Sequence, residues 1–80
     1  MGMHNRFEIF TRNYGVRIED SPPILATNDP REAVRVCRAA MRREEGTLAS
    51  TSIRDLITGR EYGGLGVFEF ANEFAVPVVD

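Results

Sequence analysis

Residues 6–12 alternate strictly, with Phe7, Ile9 and Thr11 on one side and Glu8, Phe10 and Arg12 on the other. That period of two predicts a half-buried strand. Asn13-Tyr14-Gly15 reads as a three-residue hairpin loop, with Gly15 suited to a left-handed position. Residues 16–20 read as the returning strand, Val16 and Ile18 inward, Arg17 and Glu19 outward. Ser21-Pro22-Pro23 stops it, because proline cannot continue a ladder. Ile24-Leu25-Ala26 follows as a short extended or edge segment.

The period then changes. Over residues 30–45, Ala33, Val36, Cys37, Ala40 and Met41 recur at i, i+3, i+4, i+7 and i+8, the spacing of an amphipathic helix. Its start is well marked: Asp29 caps, Pro30 fits the first helical position, and Glu32 is placed to complete a capping box. Gly46 marks its stop. Arg31, Arg35, Arg38 and Arg42 fall within roughly 60° of arc on the other side, at about 100° per residue. Val36→Asp is expected to unfold the domain.

Residues 48–57, rich in Thr, Ser and Ile, read as a third strand, and Thr58-Gly59-Arg60 as a turn into a fourth that begins at Glu61-Tyr62. Gly63-Gly64-Leu65-Gly66 reads as a loop or a bulge that bends this strand. Residues 67–70 are extended or a short helix, since the run Phe68 to Phe74 fits neither period well. Residues 75–79 form an apolar tail broken by Pro77, packed or at a sheet edge. The expected fold class is α+β in the order ββαββ: an antiparallel sheet of two β-hairpins with one amphipathic helix across it. The 80 residues make one small domain, with the first five frayed.

Charge narrows the partners. The net charge of −2 disfavours a general nucleic-acid binder. All ten basic residues are arginine, a bias that a GC-rich genome explains and that also suits carboxylate or phosphate recognition. No apolar run is long enough for a membrane span or a signal peptide. Arg6 stands where a myristoylation signal needs Ser or Thr. The single Cys37 forms no intramolecular disulfide, so the expected location is cytoplasmic.

The chemistry that remains is sparse. His4 is the only histidine and lies in the frayed start, which removes Ser–His and Cys–His catalysis and most zinc sites. Cys37 sits on the apolar helix face as a core residue, and Glu44 and Glu45 point apart at a helix end. The Gly63–Gly66 run lacks the Lys and Ser/Thr of a phosphate loop, and Glu69 and Glu73 would repel a phosphate. No enzyme activity, cofactor or metal is expected. Two charged surfaces remain. Arg31, Arg35, Arg38 and Arg42 form a cationic strip with few acids on the helix to relieve it, and Glu69 and Glu73 form an acidic pair near the C-terminus. Tyr14 and Tyr62 are candidate interface anchors. Phe10, Phe68, Phe70 and Phe74 exceed what one small core face needs, unless the tail folds over them.

In size, in its lack of catalytic residues and in its mixed charged faces, the chain resembles in kind the small inhibitor proteins of phages and mobile elements, anti-CRISPR proteins among them. That resemblance implies a protein that binds a host nuclease or surveillance complex and blocks its nucleic-acid site by occupancy. The expected function is therefore a non-enzymatic protein-binding inhibitor or adaptor, monomeric or homodimeric, with partner contacts from Arg31, Arg35, Arg38, Arg42, Glu69, Glu73 and Tyr62 and no membrane partner. The alternatives are a small nucleic-acid-binding module using the arginine face, or a dimeric structural protein. Charge reversal at Arg35 and Arg38, or at Glu69 and Glu73, is expected to abolish binding without unfolding.

Overall fold

A computed structural model describes residues 5–13, 23–43 and 49–78. The elements are β1 (Phe7–Asn13), β2 (Leu25–Thr27), α1 (Pro30–Arg43), β3 (Ala49–Asp55), β4 (Glu61–Gly63) and α2 (Gly66–Glu73). The fold is α+β, with a four-stranded antiparallel sheet in the order β2-β1-β3-β4. Tyr14, Gly15, the returning strand at 16–20, Ser21, Pro22, the helix end at 44–46, Leu48 and Val79 all lie outside the described residues, as does His4.

The expected hairpin partner of β1 at 16–20 lies outside the described residues. β1 is a central strand, pairing with β3 along its whole length from Phe7↔Asp55 to Asn13↔Ala49 and with β2 at Phe7, Glu8 and Ile9. Over Phe7 to Ile9 both edges of β1 are paired, and the Phe7 and Ile9 side chains enter the core. One expectation about the sheet changes. β3 ends earlier than its apolar content suggests. Leu56 and Ile57 lie in the turn to β4 and are exposed. Asp55 forces this end, its Oδ1 accepting the Ile57 N–H at 2.9 Å and its carbonyl the Gly59 N–H at 2.8 Å.

The second helix corrects the order ββαββ. Gly63-Gly64-Leu65-Gly66 ends β4 and turns the chain into α2 rather than making a bulge, with Gly64 at φ +56°. Val67, Phe70 and Ala71 are buried at i, i+3 and i+4, with Phe74 packed against the core at i+7. α1 and α2 lie side by side on one sheet face, α1 over β1, β2 and β3, α2 over β4. Phe7, Ile9, Ile53 and Tyr62 meet them from the sheet. Phe7 stands edge-on to Phe70 and Phe74 at 5.1 and 5.2 Å, and Tyr62 edge-on to Phe70 at 5.1 Å. Three of the four surplus aromatics thus have places. Phe70 and Phe74 belong to this cluster, and Phe10 lies buried with the Arg54 guanidinium 4.5 Å over its ring.

Because α2 and the tail press on α1 from one flank, the buried face of α1 is rotated from the expected one. It comprises Ala33, Val34, Cys37 and Ala40, while Val36 and Met41 are only half-buried. The capping box is also replaced. Asp29 Oδ1 accepts the Arg31 N–H at 2.9 Å, but the Asp29 N–H goes to the Thr27 hydroxyl at 3.0 Å, and Glu32 turns to Arg35 instead.

Candidate binding face

Five arginines and one glutamate occupy α1, so the helix is strongly cationic within a chain of net charge −2. Arg31, Arg35 and Arg42 are exposed and Arg38 is half-buried. From Arg31 to Arg42 they run along about 16 Å of helix axis, at about 1.5 Å per residue. Arg35 pairs with Glu32 at 3.8 Å, a contact that leaves most of its five N–H donors available. Arg38 lies with its guanidinium 5.6 Å over the Phe68 ring of α2.

The strip is not an isolated convex face. The α2 C-terminus turns sharply at Ala75, which takes φ +54°. The Ala75 N–H reaches the Asn72 carbonyl at 3.3 Å and the Val76 N–H reaches the Ala71 carbonyl at 2.7 Å, a Schellman closure with alanine in the position glycine usually fills. That turn sends the tail back along α1, where Val76 is buried and Val78 packs against the core. Between tail and helix runs an open groove of about 350 Å³, lined by Arg31, Arg35, Arg38 and Arg42 and by Val34, Ala39, Val76, Pro77 and Val78. A second hollow of about 200 Å³ lies on the α2 flank, lined by Arg38, Met41, Arg42, Gly64, Val67 and Phe68. Arg38 and Arg42 form a wall of both.

The four arginines are thus brought together, and the other three candidates are placed elsewhere. Tyr62 is 2% exposed, so its ring has no surface to offer a partner, contrary to its expected role as an anchor. Its hydroxyl donates to Glu73 Oε2 at 3.0 Å, and burial followed by this carboxylate pushes the phenol pKa up. Arg60 completes the group, 3.6 Å from Glu73 and 4.9 Å over the Tyr62 ring. Glu73 is therefore held by internal partners, and its reversal would disturb packing as well as charge. Glu69 is exposed on the outer side of α2. Neither glutamate lines the two hollows.

Of the exposed apolar residues near this face, Phe68 belongs to the surplus aromatics noted in the sequence, whereas Leu65 carried no signal there, and Val76 to Val78 were expected only as an apolar tail, packed, at a sheet edge or holding a dimer together. The tail's apolar run was the available signal, but its position beside the arginines depends on the Ala75 turn. Among the described residues no cluster of three His, Cys, Asp or Glu side chains is arranged to hold a metal ion. No described helix is long and apolar enough to cross a membrane. The fold and this face define a small two-layer α+β protein with a cationic, partly apolar groove. No family model, curated protein or solved structure matches the chain.

Proposed function

We propose that the protein is a non-enzymatic protein-binding inhibitor or adaptor that docks by complementary charge, placing the arginine face of α1 against an acidic segment of its partner. The observation that carries this reading is the lining of the long groove, cationic on the helix side and apolar on the tail side. A protein segment supplies both carboxylates and apolar side chains to such a groove. A phosphate backbone would use the arginines but leave Val76, Pro77 and Val78 without a counterpart. The acidic surface carries less of the reading, because Glu73 is already engaged with Tyr62 and Arg60. Blocking a host complex at its nucleic-acid site is the form this takes when the acidic segment lies beside that site.

The test is fluorescence anisotropy with a short acidic peptide and, separately, a single-stranded oligonucleotide. The peptide is expected to bind, and Arg31→Glu/Arg35→Glu to lower its affinity about tenfold or more, with an unchanged circular dichroism spectrum. A peptide indifferent to the reversal sinks the proposal. Binding of the oligonucleotide alone, falling steeply between about 50 and 200 mM salt, would put the nucleic-acid reading in its place.

A further inference from the structure

Two large apolar side chains of the α2 start have no place in the core. Leu65 is 82% exposed and Phe68 is 49% exposed. Phe68 lines the hollow between α1 and α2, where Val67 and Met41 add apolar lining and Arg38 and Arg42 a cationic rim. The volume is about 200 Å³. A hydrophobic cavity of about 150 Å³ takes a benzene ring, so one aromatic side chain fits here. Arg38 is held over Phe68 by its cation–π contact, which keeps a guanidinium at the edge of an apolar floor. An aromatic group entering this hollow would therefore bring its neighbouring backbone and side chains against a cation. Arg38 and Arg42 also belong to the long groove, so a single segment lying on the arginine strip passes both hollows.

We infer that the hollow bounded by Phe68, Val67, Met41, Arg38 and Arg42 is an anchor pocket for an aromatic side chain flanked by acidic residues on a partner protein. This inference rests on the charge-docking reading above and names the partner's motif. The aromatic ring covers Phe68, and the flanking carboxylates meet Arg38 and Arg42. Anchors of this type dominate affinity when an apolar pocket is ringed by polar contacts. Charge sets approach and register, and the ring sets the dwell time.

The experiment compares two short acidic peptides differing at one central position, Phe or Ala, by anisotropy against the full chain and against Leu65→Ser/Phe68→Ser. Both substituted positions are exposed, and circular dichroism checks that the variant folds. The Phe peptide is expected to bind the unmodified chain about tenfold more tightly than the Ala peptide. The preference is expected to vanish in the variant while the weaker, charge-driven binding remains. Equal binding of both peptides to the unmodified chain overturns the anchor pocket and leaves charge docking standing. Failure of both peptides to bind overturns both. Light scattering gives a further check. If the unmodified chain self-associates and the double variant does not, a second copy covers this hollow and the partner-anchor inference fails. Should the double variant misfold, Phe68→Ala alone, at a residue that lines the hollow, carries the same comparison.

Discussion

At the scale of single residues, the most consequential contact joins positions 49 apart in the chain. Arg6 Nε and Nη2 donate to the two oxygens of Asp55 at 3.1 and 2.9 Å, and Asp55 is 1% exposed. Arg6 also sits 5.1 and 4.9 Å over the rings of Phe7 and Phe74, which fixes the fork in place. The guanidinium holds the Asp55 carboxyl below its usual range, against the opposing pull of burial, and the Ile57 N–H adds to the lowering. A depressed folded-state pKa contributes stability that is present above the unfolded value and lost as pH falls through the folded one. Unfolding midpoints should therefore drop below about pH 4, and Asp55→Asn should flatten that acid limb. At neutral pH Asp55→Asn should cost about 2–3 kcal/mol by urea titration, less than a fully buried pair because the Arg6 side chain is 34% exposed. Ala75 is a second such residue. An L side chain at φ +54° is strained, so Ala75→Gly should raise stability by about 0.5–1 kcal/mol and the Tm by a few degrees in calorimetry. Nothing in the one-dimensional pattern marks either residue. Arg6 read as the edge of a strand, and Ala75 as the start of a tail.

At the scale of elements, α1 was legible because its signals are local. Asp29 and Pro30 mark its start, and its apolar and cationic positions repeat with the helical period. Which of its apolar residues are buried is a matter of neighbours. α2 and the tail pack on the arginine-side flank, so Val34 enters the core and Val36 sits at the margin. The expected effect of Val36→Asp therefore passes to Val34. Val34→Ala should cost about 1–3 kcal/mol and Val36→Ala less than about 1 kcal/mol, read from denaturant midpoints at constant m. Equal losses would return the core face to its sequence-based position. α2 was obscured for physical reasons. Its core spacing of Val67, Phe70, Ala71 and Phe74 is helical, but the exposed Phe68 blurs it, and Leu65 at the N-cap provides no side-chain hydrogen bond. The β3–β4 hairpin was readable from its turn residues. The β1–β3 pairing was not, because strand partners distant in sequence leave no local mark.

At the scale of the whole molecule, the arginine face combines a legible part with an illegible one. Each like-charged neighbouring pair on the strip costs the helix a few tenths of a kcal/mol, and the exposed Arg35–Glu32 pair contributes about as much in the other direction, so a change of charge at Arg31 and Arg35 should shift the fold's stability little. The Arg31→Glu/Arg35→Glu protein should accordingly keep its unfolding midpoint within about 1 kcal/mol of the parent, which makes a loss of peptide binding attributable to the surface itself. A strip of arginines becomes a groove only where a second wall stands opposite. Here the Schellman turn at Ala75 brings Val76, Pro77 and Val78 to that place. Local propensity and period, acting over a few residues, were enough to determine the α+β class, the amphipathic helix 30–43 with its cationic face and the final hairpin. Tertiary structure alone decided the strand order, the Arg6–Asp55 pair, the rotation that buries Val34, the sequestering of Tyr62 and the two hollows along α1. Each of these depends on side chains far apart in sequence competing for the same core volume, and that competition is settled only when all the elements are packed at once.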